Sequence, residues 1–169
     1  TEIISGQGLR THVAESFPIG SVSLSQQFFA SGAFSAAAFD AAVAGTADTL
    51  GKLSVLYPHS DWDCVYGSAG TTSAVADILQ SAGFAANHID RSGLHWLRGQ
   101  LIAAGNSSKL DMPGLKEDRK PVIGGGLSTL LGLFDALEIQ ELQIVSGALR
   151  HGVLQGLLKQ AEKITSTPA

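Results

Sequence analysis

The sequence predicts one α/β domain on a mixed sheet, with antiparallel strands first, strand–helix units after them and helices on both faces. Alternating apolar and polar residues fill the first part of the chain. Further on, three short apolar runs each lead into a glycine-containing turn and then an apolar segment of helical length. The 169 residues are 44% apolar and 15% charged, which is enough to enclose one sizeable core. We therefore treat residues 1–169 as a single domain.

Hydrophobic periodicity and turn residues place the individual elements. Strands are predicted at residues 1–5, 9–16, 21–25, 64–66, 122–123 and 143–145, and the first two are joined by a hairpin turn at residues 6–8. Helices are predicted at residues 36–55, 71–81, 92–104, 127–137 and 148–164, with Ser35 as the cap of the first. Residues 106–114 are predicted to form a loop, residues 116–120 a helical turn, and residues 165–169 a loose end.

Charge and cysteine content restrict the class of protein. A net charge of −4 argues against a general nucleic-acid surface, and no apolar run is long enough to span a membrane, so we expect neither partner. The single cysteine, Cys64, excludes a disulfide within these residues and favours a reducing, cytoplasmic location. The chain starts at Thr1, without a methionine and in the middle of a predicted strand, which indicates a fragment of a longer protein.

The three strand–turn–helix patterns are the first indication of a site. The turns lie at residues 67–72, 124–126 and 146–147. In an open α/β sheet such turns gather at the carboxyl ends of the strands, where backbone N–H groups can bind an anion such as phosphate. Each turn alone is weak evidence, because many glycine turns only make a tight connection. None matches the Walker or the complete GxGxxG pattern, and the five histidines show no metal-ligand spacing.

Two arginines can be interpreted in more than one way. Arg150 falls in the first turn of the last predicted helix, where the helix dipole disfavours a cation. A bound anion would explain that position, and so would an acidic side chain nearby. Arg119 precedes the predicted strand at residues 122–123 and is interpreted as a surface charge.

Four blocks in a fixed order carry a family resemblance. They are "ESFPIGSVSLSQQFF" (15–29), "YGSAGTTSAVADIL" (66–79), "GLKEDRKPVIGGGLSTLLGLFDAL" (114–137) and "IVSGALRHGVL" (144–154). Together they resemble the exopolyphosphatase / guanosine pentaphosphate phosphatase family, Ppx/GppA, over nearly the whole chain. The resemblance implies a ribonuclease H-like domain of the actin-like ATPase superfamily. It also implies that this is the second of two such domains, which enclose a cleft.

The resemblance also implies the site residues. The second domain of the family begins with a strand and an Asp-Ile-Gly-Gly-Gly-Ser-Thr-Glu phosphate loop, whose last two residues match Thr1 and Glu2, so the rest of that loop is absent here. By resemblance Glu2 is the catalytic residue, which would hold the metal or orient the attacking water. The phosphate-binding residues so implied are Thr1, Gly67, Ser68, Gly70, Thr71, Gly124, Gly125, Gly126 and Arg150.

Two departures from the family pattern accompany these assignments. The family usually has Leu-Arg-Glu-Gly where this chain has Leu149-Arg150-His151-Gly152, which weakens any role for His151. The turn after Ile123 is also richer in glycine than is usual.

The implied reaction is hydrolysis of a terminal phosphoanhydride, in inorganic polyphosphate or at the 5′ γ-phosphate of pppGpp, with Mg²⁺ or another divalent cation. The implied partners are that substrate and the first ribonuclease H-like domain of the same polypeptide. Apolar surface left bare without that domain could also pair two copies of the chain. On its own the fragment is expected to have little or no activity. Two alternatives stay open: a nucleotide-binding kinase or ATPase domain of the same superfamily, and a non-catalytic module for binding or dimerisation.

Overall fold

A computed structural model describes residues 1–59, 62–147, 152, 154 and 156–158. The strands are β1 (Glu2–Gln7), β2 (Arg10–Ser16), β3 (Tyr66–Gly67), β4 (His88–Asp90) and β5 (Glu141–Ile144). The α-helices are α1 (Ser21–Phe28), α2 (Ala36–Leu50), α3 (Leu53–Leu56), α4 (Gly70–Ser81), α5 (Arg91–Ala104) and α6 (Ile123–Ala136), with 3₁₀ turns at Ser107–Lys109 and Glu117–Val122. Residues 152, 154 and 156–158 are also helical, whereas the rest of the predicted last helix lies outside the described residues.

The strands form two sheets. β1 and β2 make the predicted antiparallel hairpin, which turns at residues 8–9. In the second sheet β5 lies in the centre, parallel to β3 and antiparallel to β4. The α/β class with a mixed sheet is therefore confirmed. β4, only three residues long, was not predicted, because so short a run carries no clear alternation.

Helix α6 forms the centre of the core. Every residue from 123 to 132 is buried, and α1 and α2 pack along it. A helix buried on all sides must satisfy its own polar groups. The hydroxyls of Ser128 and Thr129 do so by donating to the carbonyls of Gly124 and Gly125, both at 2.9 Å.

The strand predicted at residues 21–25 is wrong, since these residues form the start of α1. Leu24 is buried and Phe28, one turn later, packs against the core, whereas Val22 is 55% exposed. The apolar positions that matter are therefore four residues apart, which is a helical spacing. Packing against α6 therefore stabilises a helix here, although serine and apolar residues alternate locally as they do in a strand.

The strand at residues 122–123 and the turn at residues 124–126 are also wrong. The 3₁₀ turn Glu117–Val122 runs directly into α6, so the three glycines occupy the first turns of a buried helix. A Cβ at Gly125 would collide with the Ser21 carbonyl oxygen and would lie 2.5 Å from the Ser25 nitrogen. Glycine is needed here because the backbones of α1 and α6 approach each other closely.

The other predicted elements that fall on described residues agree with the structure to within a few residues, and residues 165–169 lie outside the described residues. Ser35 caps α2 by accepting the N–H of Ala38 at 3.1 Å, but α2 ends at Leu50, and the separate short helix α3 follows it. The helices predicted at residues 71–81 and 92–104 and the strand at 143–145 are confirmed with small shifts at their ends. Among the helices that the structure describes, none is long and apolar enough to cross a membrane.

Candidate anion-binding site

The connection from β3 to α4 has a strained backbone. Gly67 ends the strand, and Ser68 and Ala69 lead into the helix at Gly70. Ala69 adopts φ 77° and ψ −178°, a conformation that is otherwise almost confined to glycine. Such strain persists where the surrounding structure over-determines the loop, and it concentrates at ligand-binding sites.

The first turn of α4 leaves backbone donors free. No side chain of the described residues caps the helix, and the hydroxyl of Thr72 donates to the carbonyl of Ala69. The first N–H that bonds along the helix is that of Ser73, to the Ala69 carbonyl at 3.1 Å. The N–H groups of residues 70–72 therefore have no recorded partner within the described part of the chain, and the positive end of the helix dipole adds to them.

The guanidinium of Arg119 lies directly on this helix start. A Cβ built at Gly70 would be 2.7 Å from Nη1 of Arg119 and 2.9 Å from Cζ. A cation is unfavourable at the positive end of a helix, and the recorded partner of Arg119 is the largely exposed carboxylate of Asp118, 3.6 Å from Nε. Free N–H donors beside a guanidinium form an anion-binding arrangement. We call the N–H groups of residues 70–72 and the guanidinium of Arg119 the candidate anion site.

The candidate anion site adjoins the start of α1. A cavity of about 10 Å³, space for about one water molecule, is lined by Ser21, Thr71, Ala74, Arg119, Val122, Ile123 and Gly126. Ser21 is the first residue of α1. Gly126 lies against Thr71, since a Cβ there would be 2.8 Å from Thr71 Cγ2. Helices α1, α4 and α6 thus meet beside Arg119.

The first residues of the chain are tied to the same region. The ammonium of Thr1 donates to the carbonyls of Phe17, at 2.9 Å, and Ile19, at 2.8 Å, and its hydroxyl donates to Ile19 at 2.7 Å. Ile19 is followed by Gly20 and then by α1. Glu2 is exposed at the start of β1. Over the described ranges, no three His, Cys, Asp or Glu side chains cluster as metal ligands, so Glu2 offers one carboxylate and not a complete metal site.

The structure separates the predicted phosphate ligands into groups. Gly70 and Thr71 belong to the candidate anion site, and exposed Ser68 lies in the loop before it. Buried Gly67 accepts the N–H of Val145 at 3.0 Å, as part of the sheet. Thr1 lies near the start of α1, as described above.

The three glycines of α6 are not in the predicted turn. Gly124 packs on the rings of Phe29 and Phe34, and the N–H of Gly125 is already bonded to the Ser25 hydroxyl at 3.1 Å. The loop geometry on which their phosphate assignment depended is therefore wrong, although Gly126 does adjoin Thr71. Arg150, the remaining predicted ligand, lies outside the described residues.

Sequence reasoning missed two neighbours of the site. Arg119 was interpreted as a surface charge, and Ser21 was placed in a strand. No local pattern connects either residue to Gly70, because only the packing of α1, α4 and the 3₁₀ turn Glu117–Val122 brings them together. The sequence signal that includes both residues is the family resemblance, since Ser21 lies in the block at residues 15–29 and Arg119 in the block at residues 114–137.

Comparison with protein families agrees with that order. The model of the Ppx/GppA phosphatase family matches residues 1–161. A guanosine-5′-triphosphate,3′-diphosphate pyrophosphatase of Pseudoalteromonas translucida is 31% identical over 164 residues, covering 95% of this chain and 32% of that protein. The enzyme of the same name from Vibrio campbellii is 32% identical over 160 residues, with the same coverages. The chain thus spans about a third of the length of the curated relatives that it matches.

Solved structures share the fold. The Aquifex aeolicus Ppx/GppA phosphatase superposes with a TM-score of 0.74 at 20% identity, covering 90% of this chain and 52% of that one. An exopolyphosphatase from Cytophaga hutchinsonii superposes with a TM-score of 0.76 at 18% identity, covering 94% and 54%. At these identities the likeness shows the fold, which is the actin-like ATPase fold that the resemblance implied.

Proposed function

The chain belongs to the Ppx/GppA phosphatase family, and we propose from this premise that it is part of a phosphoanhydride hydrolase. The reaction is release of the terminal phosphate of inorganic polyphosphate or of the 5′ γ-phosphate of pppGpp. The observation that carries the proposal is the candidate anion site, where the free N–H groups at the start of α4 lie beside the guanidinium of Arg119.

The chemistry of phosphoryl transfer suits this arrangement. Negative charge is spread over the non-bridging oxygens in the transition state, so catalysis depends mainly on positioning and charge stabilisation. The N–H groups of residues 70–72 and the Arg119 guanidinium would bind those oxygens. Thr1, which is hydrogen-bonded to the segment that leads into α1, would contact the same phosphates.

Glu2 is proposed to orient or deprotonate the attacking water. Mg²⁺ is commonly held by one or two carboxylates together with substrate phosphates, so the single carboxylate of Glu2 fits as one ligand of a shared ion. Such an ion, when bound, neutralises charge on the phosphates.

The chain is proposed to be the second of two ribonuclease H-like domains that enclose the substrate. Its coverage of about a third of the relatives' length supports this, since the remaining length can supply the first domain. A cytoplasmic location is proposed as well, in keeping with the single cysteine.

Calorimetric titration of the 169-residue chain with inorganic tripolyphosphate tests the proposal. We expect binding that Arg119→Met weakens by at least about ten-fold, because hydrogen bonds to charged groups contribute about 1.5–3 kcal/mol. Arg98→Met is the matched control, since Arg98 pairs with Asp40 at 2.6 Å on the contact between α2 and α5. No binding by the wild-type chain, or equal losses in the two variants, would overturn the proposal.

A further inference from the structure

Tyr66 is an exposed aromatic side chain immediately before the candidate anion site. It is 59% exposed, whereas its neighbour Gly67 is buried against Leu142 and Thr72. Because successive residues of a strand point to opposite faces, Tyr66 stands on the face of the sheet away from α4. Packing among the described residues does not account for an aromatic ring left this exposed.

Val145 extends the apolar surface beside Tyr66. The N–H of Val145 bonds to the carbonyl of Gly67, and Tyr66 is in register with Gln143. Val145 is two residues after Gln143 and therefore lies on the same face as Tyr66. Val145 is 38% exposed. Since β3 and β5 are parallel, both strands end at this edge, which is where ligands bind in open α/β sheets.

The side chain of Cys64, two residues before Tyr66, raises the pKa of the Tyr66 phenol, which is therefore neutral near neutral pH. A neutral ring adds no repulsion toward a polyanion nearby. The ring is therefore compatible with a ligand whose phosphates lie at the start of α4.

We propose that Tyr66 and Val145 form a platform on which the base of a nucleoside polyphosphate stacks while its 5′ phosphates occupy the candidate anion site. This rests on the proposed function, because the platform has a role in selectivity only if that site binds phosphates. Inorganic polyphosphate has no flat apolar group and gains nothing from the platform. The structure thereby assigns Tyr66 as a residue that favours pppGpp over polyphosphate.

The spacing along the chain is consistent with one ligand reaching both features. Tyr66 and Gly70 are four residues apart, which limits the separation of their backbones to about 14 Å. A nucleoside carrying a 5′-triphosphate extends over a comparable length. The ligand would pass around the end of β3, following the loop at residues 68–69.

Paired titrations of the 169-residue chain with pppGpp and with inorganic tripolyphosphate test this inference. Tyr66→Ala is expected to weaken pppGpp binding by about ten-fold, in line with losses of stacking on removal of an aromatic side chain, and to leave tripolyphosphate binding unchanged. Tyr66→Phe keeps the ring and is expected to bind both ligands as the wild type does. Val55→Ala removes another largely exposed apolar side chain, from α3, and is expected to change neither affinity.

The outcomes separate this inference from the proposed function. If the wild type binds neither ligand, the proposed function fails and the inference fails with it. If both ligands bind and Tyr66→Ala weakens both equally, weakens neither, or lowers the thermal stability without changing the ratio of affinities, the platform is wrong while the anion site stands.

Discussion

Gly70 leaves room for the guanidinium of Arg119 at the start of α4. The planar guanidinium of Arg119 occupies the space where a Cβ would stand, so the cation reaches the helix start only because residue 70 is glycine. Arg119 is a flexible side chain, 38% exposed, and can move aside at little cost. We therefore propose that Gly70 matters for ligand binding more than for stability.

Gly70→Ala is accordingly expected to weaken tripolyphosphate binding several-fold while changing the free energy of unfolding by less than about 1 kcal/mol. Titration calorimetry and urea unfolding of the same samples measure the two effects. Gly99→Ala, at an exposed position of α5 with open space around it, is the control and should leave binding intact. Unchanged affinity in Gly70→Ala would mean that Arg119 does not act at the helix start.

Asp90 gives a prediction that depends on pH. The N–H of Gly93 donates to its carboxylate at 2.7 Å, and this bond is the main cause of the lowered pKa of Asp90, with the Ser92 hydroxyl adding to it. A lowered carboxyl pKa stabilises the fold above the unfolded-state pKa, about 3.9, and this contribution disappears as the pH falls through the folded-state value.

Asp90→Ala should therefore lower the free energy of unfolding by about 1 kcal/mol at pH 7, because it removes the cap of α5. The difference from wild type should shrink below about pH 4. Denaturant unfolding at pH 7 and pH 3 measures both effects. Asp90→Asn keeps a capping oxygen but has no ionisable group, so residue 90 should make no pH-dependent contribution to its free energy of unfolding. A deficit that is the same at both pH values would contradict the assignment.

At the scale of elements, the contact between α1 and α6 organises the fold around the site. Gly125 lets the two backbones approach each other, and its N–H donates to the Ser25 hydroxyl across the contact. Because Ser21 at the start of α1 lines the same cavity as Thr71 and Arg119, this contact places the start of α1 beside the candidate anion site.

Gly125→Ala is expected to destabilise the chain by about 1–3 kcal/mol or more, since the added methyl group meets backbone atoms that cannot rotate away. Gly99→Ala, in contrast, should stabilise by up to about 1 kcal/mol, because alanine is the better helix former. Urea midpoints of the two variants measure the contrast. Equal midpoints would show that α1 and α6 are not packed as closely as described.

Local patterns were sufficient where an element depends on its own residues. The β1–β2 hairpin, the Ser35 cap and the helix from residue 70 were predictable from alternation, capping chemistry and helical spacing. Helix α1 and the start of α6 were not, because alternating serines and a triple glycine resemble a strand and a turn. Small residues are needed at these positions because the two helices approach each other closely, which the local sequence does not indicate.

At the scale of the whole molecule, the site could be predicted only in part. The position of Gly70 and Thr71 followed from the strand–turn–helix pattern, whereas the contribution of Arg119 depends on tertiary packing that no local pattern contains. The family resemblance predicted the fold, but it did not predict that residues 124–126 are helical.

The 169-residue chain alone is expected to bind tripolyphosphate and yet to release no measurable phosphate from it in the presence of Mg²⁺. The described residues do not form a complete metal site, and the relatives are about three times as long. A colorimetric phosphate assay, run beside the calorimetric titration on one sample, measures both. Steady phosphate release by the wild-type chain would contradict this expectation, and release that survives Glu2→Gln would also contradict the role proposed for Glu2.

The most direct test of the account is an amide chemical-shift titration of the ¹⁵N-labelled chain with inorganic tripolyphosphate. We expect the largest changes on the amides of Gly70, Thr71 and Thr72, and much smaller changes there in Arg119→Met at the same ligand concentration. Largest changes on another element, or a response at residues 70–72 that is unaltered in Arg119→Met, would contradict it.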